Sequence, residues 1–486
     1  MTVASAEEAD APGLSVYRRA DVAEHDTIEK GVWVTYKGAV YDITNFVVNH
    51  PGGQSKIMLA AGKDIGPFWR VYQQHTRQGG LPLELLDRMK IGLLDPSEPA
   101  PIIDTSDPYA HDPHRHPGLL FHNDKPANAE VPPELLMDSW VTPNELFFIR
   151  HHHPVPIIDS KAYRLSVGGV GVKPIVLDLE DLHERFPKHE VVTTIQCGGN
   201  RRSEFNRTGR PTSGISWGSG AMSTAKFGGV LLRDVLLYSG LLRPETAEKS
   251  GVKHVQFIAV DGLMASIPIQ KALDIYGDVL LAYEMNGVPL PAEHGGPLRA
   301  VVPGHVGVRN VKWVGRIVTS DEEAEGPWQR GISYKGFAPN VTSFEGIDVG
   351  AIQSVQEQPV TSAIIDPQNG FSYEPGQPID LRGFAWSGGG RGIVRVDVSA
   401  DGGKTWTTAT LKEGHEQPPH RAWAWTFWEA EVPAPSNGEE VVLCCKATDV
   451  AYNSQPENPE PIWNIRGLNN NSWHKVTLHA AEDDEE

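Results

Sequence analysis

The sequence predicts a multidomain α+β protein with a small N-terminal α+β domain, a central mixed α/β domain and a C-terminal β-sandwich of immunoglobulin-like type. The chain has 486 residues, too many for one ordinary hydrophobic core. Its 38 prolines and 49 glycines favour turns, and therefore much β-structure. Residues 95–113 are rich in proline and aspartate, which is typical of an extended, flexible tether between domains.

The predicted elements differ on the two sides of this tether. Before it, "GVWVTYKGAVYDI" indicates two strands that turn at Lys37-Gly38, followed by short helices. Far beyond it, "GIVRVDVSADGGKTWTTATL" indicates two strands joined at an Asp-Gly-Gly turn. The predicted boundaries are 14–94 for the N-terminal domain, 95–113 for the tether, 114–345 for the central domain, 346–479 for the β-sandwich and 480–486 for an acidic, solvated tail.

Composition excludes several classes of function. The formal net charge of −19 argues against a nucleic-acid partner, because phosphate binding needs a basic surface. No apolar run approaches the roughly 18 residues of a membrane span. The start, "MTVASAEEADAPG", is acidic and lacks arginine, so no secretory signal or mitochondrial presequence is recognisable. Three cysteines do not make a disulfide framework, and Cys444 and Cys445 are expected to be buried packing residues.

Two histidines frame the apolar stretch "NHPGGQSKIMLAAGKDIGPFWRVYQQH" of the N-terminal domain. The Pro-Gly-Gly turn after His50 lets the backbone turn sharply, and His75 would return from the opposite side of an apolar slot. Two facing neutral imidazoles suit a haem iron that transfers electrons and binds no substrate. Isolated histidines would more often be ordinary surface or core residues. The stretch "WVTYKGAVYDITNFVVNHPGG", however, resembles the cytochrome b5 family, which implies a cytochrome b5-like domain with His50 and His75 as axial ligands of haem b.

A lone cysteine, Cys197, follows an apolar strand in "TTIQCGGNRRSEF" and precedes two arginines, which favour the thiolate form. A thiolate is a nucleophile and a soft metal ligand. The segments "FFIRHHHPVP", "EHGGPLRAVVPGHVGVRNVKW" and "WQRGISYKGF" add further cationic and tyrosine side chains. So many cations in an acidic protein favour one focused anion pocket. An inert buried cysteine among scattered, solvated charges is the alternative that spacing alone leaves open.

From residue 113 to 479 the chain resembles the sulfite oxidase family of eukaryotic molybdenum-cofactor enzymes. The resemblance rests on many ordered matches, among them "TPNELFFIR", "QCGGNRRSEF", "LPAEHGGPLRAVVPG", "SADGGKTW" and "PIWNIRGLNNNSWHKV". It implies one molybdenum–molybdopterin and one haem b per subunit, with Cys197 as the thiolate ligand of molybdenum. The residues that it implies for cofactor binding are Arg150, His152, Cys197, Asp234, His294, Arg299, Arg309 and Lys312. Those that it implies for the substrate pocket are Arg150, Arg202, Trp217, Tyr334 and Arg466.

The three consecutive histidines 151–153 leave open which of them contacts the cofactor, because the chain carries Arg-His-His-His where Arg-Asn-His is commoner.

Nitrate reductases use the same kind of molybdenum domain, so the resemblance leaves two reactions to separate. Here the haem domain comes first, and no flavin or nicotinamide module follows the β-sandwich. Arg466 adds a third guanidinium to Arg150 and Arg202, which suits a dianion better than the nitrate monoanion. We therefore expect oxidation of sulfite to sulfate, with a nitrate reductase-type enzyme as the alternative. A haem-carrying electron shuttle without molybdenum and an adhesion-like protein are rival predictions from other classes.

The resemblance also implies partners and a location. Electrons would pass one at a time through the haem to cytochrome c. The C-terminal domain would form a homodimer, and the mitochondrial intermembrane space is the expected compartment.

Overall fold

The computed structural model describes residues 15–72, 75, 80–98, 106–241 and 250–481. The chain divides into two compact units. The first comprises the described residues up to Ala110 together with His114–Leu119, and the second comprises His111–Pro113 and the described residues from Leu120 onward. Residues 99–105 of the predicted tether and 482–486 of the predicted acidic tail lie outside the described residues, so the tether and the tail stay predictions. Within the described ranges, no helix is both long and apolar enough to cross a membrane.

Over its described residues, the first unit is a five-stranded sheet with four short α-helices. The strand order is β1-β5-β4-β3-β2, in which only β1 and β5 pair in parallel. The elements are β1 (Ser15–Tyr17), α1 (Arg19–Glu24), β2 (Asp26–Thr27), β3 (Gly31–Tyr36), β4 (Ala39–Asp42), α2 (Gln54–Met58), α3 (Gly66–Val71), α4 (Leu81–Arg88) and β5 (Lys90–Leu94).

The hairpin of this sheet turns where the sequence predicts. Lys37 and Gly38 join β3 to β4 with φ of 48° and 82°, the pair of positive values that a tight two-residue hairpin turn requires. Val32 and Val34 alternate along β3 and are fully buried, so one face of the sheet packs on the helices. A short 3₁₀ helix, Thr44–Asn49, follows β4 and ends directly before His50.

The second unit begins with the central domain, which is a mixed α/β structure as predicted. Its three sheets have the orders β10-β9-β18-β13-β14, β11-β12-β15-β16 with β17 beside β15, and β6-β7-β8. The strands are β6 (Leu120–Asp124), β7 (Ala127–Glu130), β8 (Ile149–Arg150), β9 (Leu165–Gly169), β10 (Ile175–Leu177), β11 (His189–Gln196), β12 (Met222–Leu231), β13 (His254–Ala259), β14 (Met264–Pro268), β15 (Leu280–Met285), β16 (Val288–Pro289), β17 (Arg299–Val301) and β18 (Val314–Ser320). The helices are α5 (Pro133–Leu136), α6 (Leu179–Arg185), α7 (Arg202–Arg207), α8 (Leu232–Tyr238) and α9 (Ile269–Leu273).

The rest of the second unit is a β-sandwich, again as predicted. Its sheets have the orders β19-β21-β25-β24 and β20-β27-β26-β22-β23, and apolar residues of both sheets form one core. Cys444 and Cys445 are fully buried, and burial raises the pKa of their thiols to about 11 and about 12. The strands are β19 (Thr361–Asp366), β20 (Ser372–Tyr373), β21 (Ile379–Trp386), β22 (Ile393–Ser399), β23 (Thr407–Thr408), β24 (Thr410–Leu411), β25 (Thr426–Val432), β26 (Val441–Asp449) and β27 (His474–Ala480).

Polar contacts of buried groups join the sandwich to the central domain. The carboxylate of Asp278, which is 6% exposed, accepts two hydrogen bonds of 2.6 Å from Arg421 and one of 2.7 Å from Trp423 Nε1. The backbone of Thr194 in β11 donates to Trp423 O at 3.0 Å, and its hydroxyl accepts from Trp425 N at 2.8 Å. The strand that leads to Cys197 is therefore fixed against the sandwich.

Removing the Asp278 carboxylate should destabilise this junction. We expect Asp278→Ala to lower the free energy of unfolding by about 2 kcal/mol, because Trp423 Nε1 loses its buried acceptor while half-exposed Arg421 is compensated by water. The measurement is the denaturant midpoint of tryptophan fluorescence. Asp366→Ala is the matched control, because Asp366 pairs with Arg382 where both side chains are about half exposed, and it should cost less than about 1 kcal/mol. Equal midpoint shifts in the two variants would contradict this role of Asp278.

Candidate functional site

The structure brings His50 and His75 together as a parallel pair. Their ring centroids lie 6.3 Å apart and the ring planes differ by 11°. The Nδ1 of His50 is 3.1 Å from Gly53 O, and the Nδ1 of His75 is 3.0 Å from Tyr72 O. A carbonyl can only accept, so each Nδ1 carries the proton and each Nε2 keeps a free lone pair. Burial lowers the pKa of His50, which further favours the neutral ligand form.

These features fit a six-coordinate haem iron. Two metal–imidazole bonds of about 2 Å each, plus the distance from each nitrogen to its ring centre, add up to roughly 6 Å. The backbone carbonyls supply the outer hydrogen bonds that orient ligating imidazoles. Trp69 stacks on His75 and Phe46 contacts the edge of His50, so the rings lie among aromatic side chains.

Glycine at position 52 is required by this geometry. A Cβ built there would lie 2.7 Å from Cε1 of His50, closer than side chains tolerate. The Pro-Gly-Gly sequence therefore does more than turn the chain, because it leaves room for the imidazole that the turn presents.

Cys197 lies in a tight loop that directly follows β11. Its N–H donates to Ala221 O at 2.9 Å, and its carbonyl accepts from Asn200 N at 3.0 Å. The side chain of Asn200 accepts in turn from Ala221 N at 3.0 Å, so the loop is pinned to the start of β12 on both sides. Cys197 is 6% exposed and lines a cavity.

Three glycines leave the space that the side chain of Arg202 occupies next to the loop of Cys197. A Cβ at Gly199, Gly214 or Gly467 would lie within 2.7 Å of the Arg202 side chain. The guanidinium donates to Gly467 O at 3.1 Å and to Ile215 O at 2.7 Å. Burial lowers its pKa, and the thiolate charge of Cys197 partly offsets that effect.

The cavity beside Cys197 encloses roughly 740 Å³, including the space at its open mouth. Segments far apart in sequence supply its walls. Of the residues predicted from the sequence, those that line it are Arg150, His152, Cys197, His294, Arg299, Lys312 and Tyr334. The predicted convergence of cationic groups around the lone cysteine is therefore present in the structure.

In the cavity wall, burial keeps two imidazoles neutral and removes water from two cationic side chains. Burial lowers the pKa of His152 to about 2 and that of His294 to about 3. Burial likewise lowers the pKa of Arg299 to about 9 and that of Lys312 to about 7. Arg299 is anchored by His294 O and Asn310 O, at 2.8 and 2.9 Å. Desolvated cations gain most from a bound anion, because its charge favours their protonated form.

Arg466 and Tyr334 extend the same cluster. Arg466 Nη1 donates to Ser213 Oγ at 2.8 Å, whereas its Nε is buried and has no partner. Tyr334 adopts a left-handed φ of 60°, which is strained for a bulky residue, and its carbonyl accepts from Val355 N at 2.9 Å. Burial raises the pKa of the Tyr334 hydroxyl, with a smaller effect from the negative charge of Cys197.

Five of the predicted site residues do not line this cavity: Arg202 and Arg466, which are described above, and the following three. Trp217 is fully buried, with its ring edge-on to His122 at 4.7 Å. Asp234 lies in the first turn of α8, with its carboxylate 3.3 Å from Arg233 Nε. Arg309 donates to Trp328 O and Val355 O, which ties its guanidinium to the backbone. The roles predicted for these three residues stay predictions.

The three consecutive histidines occupy different environments. His152 lies 3.3 Å from the guanidinium of Arg150 and lines the cavity. His151 also lines it, and its side chain contacts Glu293 and Lys312. His153 does not line the cavity itself; its Nδ1 lies 3.2 Å from the carboxylate of Asp261, which does, and 41% of its side chain is exposed.

Sequence reasoning missed residues that hold the site in shape. Glu130 is 5% exposed, and its carboxylate accepts from Gly218 N at 2.9 Å and Gly220 N at 3.0 Å. Asn128 Oδ1 accepts from Arg150 Nη1 at 2.9 Å and so orients that guanidinium. Neither residue stands in a recognisable motif, because each acts on partners distant in sequence.

These residues fit a molybdopterin cofactor. A thiol at the cavity wall offers one soft ligand to molybdenum. Desolvated Arg299 and Lys312 offer charge for a phosphate, and neutral His152 and His294 add polar contacts without further charge.

Three family models match successive parts of the chain. Residues 18–95 match the cytochrome b5-like heme/steroid binding domain. Residues 152–328 match the oxidoreductase molybdopterin binding domain, and residues 352–481 match the Mo-co oxidoreductase dimerisation domain.

Several curated proteins are similar to this chain over most of its length. Sulfite oxidase of Gallus gallus is 49% identical, and the match covers 96% of this chain and 100% of the relative. Mitochondrial sulfite oxidase of Rattus norvegicus is 48% identical over 96% of this chain and 84% of the relative. Nitrate reductase [NADH] 2 of Phaseolus vulgaris is more distant, with 34% identity over 74% of this chain and 41% of the relative.

Among solved structures, the sulfane dehydrogenase SoxCD of Paracoccus pantotrophus superposes with a TM-score of 0.61. It is 26% identical, and the match covers 79% of this chain and 99% of that one.

The steric role of Gly52 predicts loss of haem on substitution. We expect Gly52→Ala to displace the His50 ring and lower haem affinity at least about tenfold, the size of effect seen when the surroundings of a metal ligand are disturbed. The ratio of Soret to 280 nm absorbance of the purified protein measures this. Gly168→Ala is the control, since a Cβ at Gly168 meets nothing within 4 Å. Full haem content in the Gly52 variant would contradict the assignment.

Proposed function

Because the chain belongs to the sulfite oxidase family, we propose that it oxidises sulfite to sulfate in the cavity beside Cys197 and delivers the electrons to cytochrome c. The balanced reaction consumes one sulfite and one water, and it yields one sulfate, two protons and two electrons. When bound, the molybdenum cofactor supplies the two-electron centre and haem b supplies a one-electron carrier.

The observation that carries this proposal is the cluster of arginines around one thiol. Arg150, Arg202 and Arg466 are close enough to interact electrostatically with one another. Within the described residues, these guanidinium groups contact amide, carbonyl, hydroxyl or imidazole groups and no carboxylate. Three guanidinium groups without a matching carboxylate suit a doubly charged oxyanion.

Arg150, Arg466 and Tyr334 have distinct tasks in the proposal. The guanidinium of Arg150 donates to Asn128 Oδ1, which fixes its orientation before the substrate binds. It therefore orients the substrate with little further loss of side-chain entropy. Arg466 donates from the unpartnered Nε to a sulfite oxygen. The Tyr334 hydroxyl, whose pKa is raised by burial, stays protonated at neutral pH and donates a hydrogen bond to the oxyanion.

The remaining cavity residues would hold the cofactor. Arg299 and Lys312 provide positive charge for the phosphate of molybdopterin, and His152 and His294 contact it as neutral groups. Cys197 provides the protein thiolate ligand of molybdenum. Trp217, Asp234 and Arg309 keep the roles implied by resemblance as proposals, with Arg309 acting through the backbone that it clamps.

A nitrate reductase-type reaction is less well supported. The similarity to a nitrate reductase is lower and covers less than half of that protein, as reported above. Nitrate also carries one negative charge, so it has less need of a third guanidinium such as Arg466.

The partners and the location follow from the relatives and remain proposals at the finer level. The match to a dimerisation domain supports a homodimer built from residues 346–479. The name of the rat relative supports a mitochondrial location, and we propose the intermembrane space, where cytochrome c would accept the electrons. The segment 95–113 would act as a tether that lets the haem domain move between its electron donor and its acceptor.

Anaerobic addition of sulfite tests the proposed function. We expect the haem Soret band of the loaded enzyme to shift to its reduced form, because no other acceptor is present, and nitrate added afterwards to leave the haem reduced. Cys197→Ser should keep the Soret band but abolish its shift. If nitrate reoxidised the reduced haem as fast as sulfite reduces it, the result would instead support the nitrate reductase-type reaction.

Arg466 provides a test of the substrate charge. We expect Arg466→Met to raise KM for sulfite about tenfold to a hundredfold, because a hydrogen bond from a charged donor contributes about 1.5–3 kcal/mol. Steady-state reduction of cytochrome c measures this change. Arg316→Met removes an exposed arginine of β18 and should leave KM unchanged. An unchanged KM in both variants would exclude Arg466 from substrate binding.

A further inference from the structure

Lys312 has an unusual set of contacts for a cofactor-binding lysine. Its Nζ lies 3.0 Å from His151 Nδ1, 3.2 Å from Glu293 O and 3.4 Å from Arg150 O. An ammonium has three protons to donate, and these three acceptors can take all of them. Lys312 therefore acts on the cavity through its charge, and its position is set by its neighbours.

His151 connects this ammonium to a carboxylate. Its Nε2 contacts Oε1 of Glu293, and its ring stacks on Trp313 with centroids 5.5 Å apart. His151 is 2% exposed and Glu293 is 8% exposed. A carboxylate only accepts and an ammonium only donates, so His151 carries its proton on Nε2 and accepts from Lys312 at Nδ1.

We propose that Glu293 and His151 are positioning residues that hold the positive charge of Lys312 beside the molybdopterin cavity. The inference rests on the proposed assignment of this cavity to molybdopterin. Neither Glu293 nor His151 needs to touch the cofactor. The carboxylate favours the protonated form of Lys312 through the imidazole, and the imidazole fixes where the ammonium stands.

The charge held in this way depends on pH. Burial lowers the pKa of Lys312 to about 7, and the charge of Glu293 opposes this decrease. The other charged or titratable groups that act on Lys312 are Arg299, Asp261, Arg150, His151, His152 and His294. Arg299 retains its proton to about pH 9, and burial keeps His152 and His294 neutral above about pH 3.

The pH dependence of cofactor retention follows from the protonation of Lys312. A bound phosphate favours the charged form of Lys312, so binding takes up a proton when the pH exceeds the pKa of the empty site. Cofactor retention should therefore weaken as pH rises above about 7. Removing the charge of Glu293 lowers the pKa of Lys312 further, so retention should weaken at a lower pH.

Release of the pterin from the loaded enzyme tests the proposal without an activity assay. The purified enzyme is warmed gently at pH values from 6 to 8.5, and the fluorescence of released, oxidised pterin gives the rate. We expect the rate to increase with pH in the unmodified protein. The midpoint of this increase is the pH at which the release rate is half of its maximum. Glu293→Gln and His151→Phe should each lower this midpoint by about one pH unit, which is a tenfold change in the proton equilibrium. The phenylalanine in His151→Phe keeps the stacking on Trp313. Lys312→Met should release pterin rapidly with little pH dependence in this range.

His479→Asn is the matched control, because His479 also faces a carboxylate, that of Glu440, but lies on the exposed surface of the sandwich and does not act on Lys312. Its midpoint should equal that of the unmodified protein. Unchanged midpoints in Glu293→Gln and His151→Phe would overturn the proposal, and a lower unfolding temperature alone would assign the two residues a structural role only. Absence of pterin from the unmodified protein would instead contradict the proposed function.

Discussion

The second unit depends on keeping several cations close to one thiol and away from water. Desolvation disfavours a charged group unless an opposite charge or good hydrogen bonds compensate it. Arg299 and Arg202 are almost fully buried, and most of their hydrogen bonds end on backbone carbonyls. Carbonyl dipoles orient a guanidinium but leave its net charge uncompensated. The uncompensated positive charge therefore favours binding of an anion in the cavity. This explains why both an anionic cofactor and an anionic substrate suit it.

Such a cavity can be built only by residues from distant parts of the chain. Arg201, next to Arg202 in the chain, is completely buried and donates to Ser362 O, Ser472 O and Trp473 O. These carbonyls belong to the sandwich and its last loop, so the sandwich fixes the backbone from which Arg202 projects. The same C-terminal region supplies Gly467 to the space around Arg202 and Arg466 to the cluster. The C-terminal region therefore helps to build the arginine cluster, in addition to being the region matched to dimerisation.

How much the sequence predicted depends on how local each feature is. The fold class, the turn at Lys37-Gly38 and the facing pair His50 and His75 follow from residues that lie close together in the chain, and the structure shows them as expected. The convergence of cations on Cys197 was predicted as a hypothesis, whereas family resemblance supplied the individual roles. Glu130, Asn128 and Glu293 were missed, because a buried hydrogen-bond acceptor is defined by partners that only folding brings to it. Asp234 and Trp217 show the converse, since resemblance named them but the cavity wall does not include them.

The contrast between the two sites has a physical consequence for their chemistry. At the His50–His75 pair, backbone carbonyls orient both imidazoles, so the geometry of the pair is set by short-range turns. In the cavity, positive charge is distributed over several side chains. Hydrogen-bonded chains such as Glu293–His151–Lys312 position these charges. A carrier that only exchanges an electron benefits from the first arrangement, because rigid ligands change little between oxidation states. A centre that must admit one oxyanion, release another and shed two protons benefits from the second, because the charge of its wall can respond to what occupies it.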